Sequence, residues 1–383
     1  MSGALHAIIV RAAVAAPLTI AQYMELALQH PEHGYYRRHD PLGARGDFIT
    51  APEISQMFGE LLGLWCVDMW GKLGSPNSFT LCELGPGRGT LLRDVLRAAQ
   101  TVPAFVEACR IHLLESNADL RAAQAVALAA QRPQWLDSLD ALPAQPTICI
   151  ANEFFDALPI HQFSHRESGW HENCVGGADG KLQWVAVPTA PLILPSFPRR
   201  RESHSSNVSP SGEKWNSRLR GNDEVVLDYP PGTTIETSPA AVGIMQTLSQ
   251  HIAVHGGAIL ALDYGYDAPS GNPTFQALSR HSFADPLQDP GQADLTAHVD
   301  FGALTATARA QATHVWPLRT QGAFLHALGI DRRRDQLSRN ATPTQRDALI
   351  AAHRRLTDSA QMGTLFKVLC VTSTEFLIPA GWE

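Results

Sequence analysis

A largely parallel β-sheet covered by helices on both faces is the fold this sequence predicts, and three observations predict it. Short apolar runs, Phe79-Thr-Leu-Cys-Glu-Leu84, Ile111-His-Leu-Leu-Glu115 and Thr147-Ile-Cys-Ile-Ala151, alternate with helix-length amphipathic segments. The first run turns into its helix through Gly85-Pro-Gly87-Arg-Gly89-Thr90, a glycine-rich strand-to-helix junction. The chain has 383 residues and is 44% hydrophobic, enough for one large α/β domain with additions or for two domains.

The elements follow in order. Met1 to Ile20 is alanine-rich and free of acidic residues, but no basic stretch precedes its apolar part and Arg11 interrupts it, so it reads as an amphipathic helix rather than a cleaved leader. Thr19-Ile-Ala-Gln22 is a capping box that opens a helix to about Gln29, and Thr50-Ala-Pro-Glu53 repeats the pattern. Ile54, Met57, Phe58, Leu61, Leu62 and Trp65 then form one apolar helical stripe. The polar loop of residues 33–48 between these helices is long enough to be functional or mobile. After the strand at 79–84 come a helix at 91–100, a strand at 111–115 and an Ala/Leu/Gln helix at about 118–130. Strands at 135–137 and 147–151 follow, and Ala258-Ile-Leu-Ala-Leu262 resumes the pattern. Residues 313–317 and 365–372 complete the sheet, the latter after a helix at roughly 344–360.

Two insertions separate 160 from 226. Gln162 to Val187 alternates around the turn signals Gly176-Gly177 and Asp179-Gly180, as a β-meander does. Pro195 to Glu224 carries Arg199-Arg-Arg201 and Arg218-Leu-Arg220 but almost no apolar pattern. It reads either as a basic binding arm or, as we favour, as a disordered insertion with too little apolar area to offset its ordering entropy. The predicted organisation is a helical region at 1–75, a first half-core at 76–160, the meander at 161–194, the insertion at 195–224 and a second half-core with helical additions at 225–383.

Composition narrows the function. A net charge of -7 argues against a general nucleic-acid binder, and no apolar run reaches the ~20 residues of a membrane span. Six scattered cysteines, 66, 82, 109, 149, 174 and 370, contain no Cys-x-x-Cys pair and read as reduced thiols of a cytoplasmic protein. His161, His165 and His171, and His251 with His255, lack an evident further ligand, so no metal is expected; His298 reads equally as packing or as substrate contact.

Chemistry concentrates at two places. Glu83, Gly85, Gly87 and Gly89 stand where an open α/β sheet binds its ligand, and Glu115 ends the next strand, where a carboxylate accepts hydrogen bonds from ribose hydroxyls. The spacing lacks the third glycine of the dinucleotide fingerprint and the Gly-Lys-Ser/Thr of a P-loop. It resembles motif I of class I S-adenosylmethionine-dependent methyltransferases. The second place is Ala151-Asn152-Glu153-Phe-Phe-Asp156-Ala-Leu-Pro159, just past the 147–151 strand. Its two carboxylates beside two aromatics could cradle a cation; by residue type alone they equally well cap a helix or face water. Asp263-Tyr264-Gly265 is a weaker case of the same kind.

The chain resembles the MidA family of methyltransferases. The resemblance rests on Pro31-Glu-His-Gly-Tyr-Tyr36, Gly46-Asp-Phe-Ile-Thr-Ala-Pro-Glu-Ile-Ser55, Phe58-Gly-Glu-Leu-Leu-Gly63, Glu83 to Gly89 and Ala151 to Pro159. It continues through Asp263-Tyr-Gly265, Asp289 to Phe301 and Met362-Gly-Thr-Leu-Phe-Lys367, and only the Pro195–Glu224 segment departs from it. The resemblance implies a Rossmann-like seven-stranded methyltransferase core with an N-terminal helical region and inserted β-hairpin and helical elements. It implies S-adenosyl-L-methionine as cofactor, held at its amino-acid end by Glu83, Gly85, Gly87 and Gly89 and at its ribose by Glu115, with Asp137 and Ser138 toward adenine and Asn152 nearby. Glu153 and Asp156 are the catalytic candidates, with Glu53 weaker because capping already explains it. Mitochondrial members assist respiratory complex I assembly as protein arginine methyltransferases, which implies a protein substrate, first the quinone-reactor subunit of complex I. A non-catalytic assembly factor and a small-molecule methyltransferase are the competing readings.

Overall fold

The computed structural model describes residues 2–38, 50–190, 216–220, 224–279 and 281–383. Two compact units share the chain. One takes residues 2–38, the described part of 158–240, and 266–302; the other takes 50–157, 241–265 and 303–383.

The second unit holds the large sheet. Seven of its nine strands run side by side: β1 (Phe79–Leu84), β2 (Cys109–Leu114), β3 (Gln134–Leu136), β4 (Thr147–Asn152), β5 (Gly257–Tyr266), β6 (His314–Val315) and β7 (Phe366–Thr372). They lie in the order β3-β2-β1-β4-β5-β7-β6. The first five are mutually parallel, while β7 is antiparallel to both β5 and β6. Every residue of β1 and β4 is buried, as strands covered on both faces must be. The expected seven-stranded core is therefore present, with each predicted strand within a few residues of its place.

Its helices are α1 (Gln56–Lys72), α2 (Thr90–Ala99), α3 (Ala118–Ala127), α4 (Pro239–His255), α5 (Gln321–Ala327), α6 (Ile330–Ser338) and α7 (Pro343–Thr357). Of the predicted stripe, Met57, Phe58, Leu61, Leu62 and Trp65 are fully or almost fully buried, each contributing about 1.5–3 kcal/mol over exposure, whereas Ile54 lies in the preceding turn and is half-buried. Trp70, Phe79 and Phe105 extend the core as an aromatic cluster with centroids 5.0–6.5 Å apart. Two glycines on α1 let α2 come close: a Cβ at Gly59 would sit 2.6 Å from Asp94 Cβ, and one at Gly63 would sit 2.5 Å from the Val95 carbonyl. Glu60, buried between them, accepts from Nε and one terminal nitrogen of Arg333 at 2.8 and 3.0 Å and from Arg97 at 3.2 Å.

One capping expectation is corrected. Thr50 makes no side-chain cap bond; Ala51–Ile54 is a separate helical turn, and extended Ser55 breaks the chain and caps α1 through Met57 N–H at 3.2 Å. Pro52 supplies no N–H, and Glu53 is drawn off to the Thr90 hydroxyl at 2.6 Å. The box at Thr19–Gln22 forms as predicted, and an unpredicted one, Thr342–Gln345, opens α7.

The other unit contains the N-terminal helix Ser2–Ala15, whose Leu5, Ile9 and Ala13 form the buried stripe, and the capped helix Ile20–Gln29. The predicted meander is three successive antiparallel strands, His161–Arg166, Gly169–Ala178 and Lys181–Pro188. Left-handed Gly169, Asp179 and Gly180 make its turns. Leu18–Thr19 and Thr234–Thr237 pair at its sides. The expected long loop lies outside the described residues from 39 to 49. The expected disordered insertion is described only at 216–220 and 224; the backbone of 216–220 pairs antiparallel with 224–228.

Candidate active site

Strand register decides which predicted residues share an edge. Leu84 at the end of β1 is the partner of Leu114 on one side and of Ala151 on the other. Leu114 in turn pairs with Leu136. Gly85, Glu115, Asp137 and Asn152 therefore follow adjacent carboxyl ends of parallel strands. From β1 the chain continues to β2 and from β4 to β5, toward opposite edges of the sheet, and such a switch point is where an open α/β sheet takes its ligand.

The glycine turn is built by backbone that only glycine adopts cheaply. Gly85, Gly87 and Gly89 have φ of +60°, +53° and +79°. At Gly85 a Cβ would also stand 2.8 Å from the Phe154 ring. Gly89 N-caps α2, whose first-turn N–H groups have no helical carbonyl to meet. Gln124 on α3, fully buried, donates to the Gly87 carbonyl at 2.7 Å and to Glu115 at 3.4 Å, while accepting from the Trp135 indole at 2.7 Å. Spacing could not single it out, because it is one glutamine in an Ala/Gln helix; only the fold brings it between the turn and the carboxylate.

The polar groups here are in unusual states. Glu83 is 3% exposed, its Oε2 has no hydrogen-bond partner, and burial pushes its carboxyl up to about 8. Glu115 accepts the Asn117 N–H at 2.8 Å; burial raises it above the usual carboxylate value, opposed by its hydrogen bonds and Arg121. Asp137 is exposed and paired with Arg121 at 2.8 Å, and Ser138 caps a short turn by accepting from Asp140 N–H.

The loop after β4 carries the acids. Asn152 is 8% exposed and its Oδ1 has no partner, while its Nδ2 donates to Glu153 at 3.3 Å. Glu153 is a non-glycine residue at φ +50°, and its Oε1 accepts the Ala51 N–H at 2.8 Å. Burial raises Glu153 to about 7, with the Asp156 charge adding to it and Arg355 on α7 opposing. Asp156 is raised to about 6 by burial, against hydrogen bonding from Tyr264. Asp263, fully buried at the end of β5, accepts the N–H groups of Phe154, Phe155 and Asp156 on one oxygen, at 3.2, 3.0 and 3.2 Å, and that of Tyr264 on the other at 2.9 Å. Glu53, meeting Thr90 at the start of α2, belongs beside the glycine turn rather than in a helix cap.

Of the histidines singled out from sequence, His165 packs on the Trp170 ring at 4.9 Å with its buried Nδ1 unpartnered and His255 packs on the His251 ring at 4.8 Å, while His161, His171 and His251 have local hydrogen-bond partners. His161 meets Glu172 at 2.6 Å, His171 the Gly169 carbonyl at 3.0 Å, and His251 the Thr147 hydroxyl at 2.9 Å. His298 donates its backbone N–H to Thr274. A grouping the sequence concealed is His326, Asp331 and His353 of α5, α6 and α7, with donor atoms within 4.8 Å of one another. Asp331 already accepts from both imidazoles at 2.6 and 2.9 Å and pairs with Arg334 at 3.4 Å, so the grouping ties three helices together.

Two buried acceptors without donors, Glu83 Oε2 and Asn152 Oδ1, flank a bare-backbone turn one strand from Glu115. That set fits a ligand bearing an ammonium group and vicinal hydroxyls, as S-adenosyl-L-methionine does. Comparison with known proteins agrees: a family model described as "Putative S-adenosyl-L-methionine-dependent methyltransferase" matches residues 61–318. The chain belongs to this methyltransferase family. It is similar to the protein arginine methyltransferase NDUFAF7, mitochondrial, of Danio rerio, 35% identical over 94% of this chain and 84% of that protein. The Homo sapiens protein of the same name is 34% identical over 91% and 79%. Among solved structures, a methyltransferase-like protein of Burkholderia thailandensis bound to S-adenosyl-homocysteine superposes with a TM-score of 0.76 at 26% identity, covering 100% of this chain and 93% of that one. The methyltransferase described here is thus an S-adenosyl-L-methionine-dependent enzyme, and the resemblance read from its motifs is borne out.

Proposed function

We propose that this methyltransferase transfers a methyl group to an arginine side chain of a protein, with Glu153 and Asp156 holding the guanidinium. The observation that carries the reading is the pair itself: two carboxyl groups of one short loop, Asp156 buried and Glu153 half-buried, at the sheet edge that also bears the glycine turn. Buried acids without a cation are costly, and a guanidinium offers the planar fork that two carboxylates match. The 34–35% identical relatives are protein arginine methyltransferases by name, which supports the same acceptor.

Glu83, Gly85, Gly87, Gly89 and Asn152 would hold the amino-acid end of the cofactor, Glu115 its ribose, and Asp137 and Ser138 the adenine side. When bound, the cofactor supplies a methyl group already activated by its sulfonium. The protein must then align, dry and deprotonate. An arginine has a pKa above ~12 and must lose a proton as its nitrogen gains a methyl. Glu153, at about 7, accepts that proton near neutral pH far better than an ordinary carboxylate, and Asp156, at about 6, stays ionised to localise charge on the non-reacting nitrogens. Phe154, packed over Gly85, helps exclude water.

The test is methyl-labelled S-adenosyl-L-methionine with lysate protein, followed by mass spectrometry of the hydrolysate, with the quinone-reactor subunit of complex I as the first purified acceptor. Methylarginine is expected, and Glu153→Gln should keep cofactor affinity while cutting transfer by ~10²-fold. Label in small molecules alone would favour a metabolite acceptor. Cofactor uptake without transfer to anything would favour an assembly role, and unchanged turnover in Glu153→Gln would remove that residue from the mechanism. On its six unbridged thiols we place the protein in a reducing, cytoplasm-like compartment; the named relatives are mitochondrial.

A further inference from the structure

Asp263 has no part in the proposed transfer, yet it takes three successive backbone N–H groups of the acidic loop. We propose that Asp263 is the positioning residue of the acceptor site, holding residues 153–156 in the turn that sets Glu153 against Asp156. The inference rests on the arginine-acceptor reading and goes beyond it by naming what builds the pair.

Three consecutive N–H groups converge on a single oxygen of Asp263. Such an anion-holding concavity forms where a left-handed residue redirects the following amides, and Glu153 at φ +50° is that residue. Left-handed geometry is unfavourable for glutamate, so the charge-assisted bonds to Asp263 must offset it. A neutral amide would present an NH2 group to some of these donors and leave buried N–H groups unmatched. At its start the loop is also tied by Glu153 N–H on the Leu262 carbonyl and by Ala51 N–H on the Glu153 side chain, and at its end by hydrogen bonding of Tyr264 to Asp156.

The placement also has an electrostatic consequence. Asp263 brings a third carboxyl against Asp156 and Glu153; burial raises all three, the Asp156 charge adds at Glu153, and the Asp156 and Glu153 charges add at Asp263. The other groups facing them are few. Tyr264 neighbours Asp156, Arg355 of α7 acts on Glu153, and Lys367 of β7 stands opposite Asp263 with its ammonium on the Thr364 carbonyl. A guanidinium entering beside Glu153 and Asp156 would meet a loop whose shape and charge Asp263 has already set.

The experiment compares Asp263→Asn with Glu153→Gln in the full chain, reading S-adenosyl-L-methionine affinity by calorimetry and labelled transfer across pH. Asp263→Asn should bind the cofactor within ~3-fold of wild type, lose at least ~10-fold in kcat, and move the acid limb of its pH profile downward by about one unit, because a neighbouring negative charge is gone. A merely structural role would lower activity without moving that limb. If Glu153→Gln is inactive while Asp263→Asn keeps wild-type turnover and pH profile, the positioning role is overturned and the arginine reading stands. If both variants turn over normally, the acidic loop is not the acceptor site and both readings fall. Should Asp263→Asn not fold, Asp263→Glu, which keeps the charge and lengthens the arm, must show the same loss of kcat at unchanged cofactor affinity; wild-type kcat in it would overturn the proposal.

Discussion

At position 85 two independent constraints meet. The backbone is left-handed, which costs an L-residue roughly 1–2 kcal/mol, and the direction a Cβ would take is occupied by the Phe154 ring at 2.8 Å. The ring cannot retreat freely, since Phe154 is stacked edge-on to Phe155 at 5.4 Å and its own N–H is held by Asp263. Gly85→Ala is therefore expected to shift the acidic loop along with the glycine turn. Calorimetry should find S-adenosyl-L-methionine affinity reduced at least ~10-fold; affinity within twofold of wild type would show that the turn accommodates a methyl. The importance of Gly85 was legible in the motif, but the second constraint was not, because residues 85 and 154 meet only through strand pairing. Gln124 makes the same point: it carries no motif, and its three hydrogen bonds exist only once α3 lies along β2 and β3.

The helices α1 and α2 show how magnitudes decide a sign. A glycine inside a helix costs about 1 kcal/mol relative to alanine, so Gly63→Ala would be stabilising if space allowed. Space does not allow: the new Cβ would lie 2.5 Å from the Val95 carbonyl and 3.0 Å from Ala98 Cβ, and a backbone oxygen cannot rotate away. Overpacking of this kind costs typically 1–3 kcal/mol and should win. Gly63→Ala should lower the melting temperature by roughly 2–6 °C, measured by calorimetry, while leaving cofactor affinity within threefold. A higher melting temperature would mean the helices separate without penalty. The apolar stripe that predicted α1 was correct, yet it could not tell that the opposite side is buried too, since glycine and glutamate there look like a solvent face until α2 and Arg333 cover them.

Across the whole molecule, buried carboxyls set the pH dependence of stability. Glu83, Glu153 and Asp156 titrate near 8, 7 and 6 when folded, against about 4 when unfolded. Between those values the folded state binds more protons, so stability falls as pH rises from about 5 to 8. The cofactor-free protein should melt roughly 3 °C or more higher at pH 5.5 than at pH 8.5, and Glu83→Gln should flatten that difference. A melting temperature that rises over the interval, or an unchanged slope in Glu83→Gln, would contradict the assignment. The sequence by itself determined the strand–helix alternation, the glycine turn, the acidic loop and the family, because period, backbone freedom and charge are local properties of a chain. Only the tertiary structure decided that Leu84 pairs with both Leu114 and Ala151, that Glu53 serves Thr90 rather than a cap, and that Asp263 gathers the loop. Those facts depend on register and burial, which arise when distant segments share hydrogen bonds and exclude water together, and no single segment carries them.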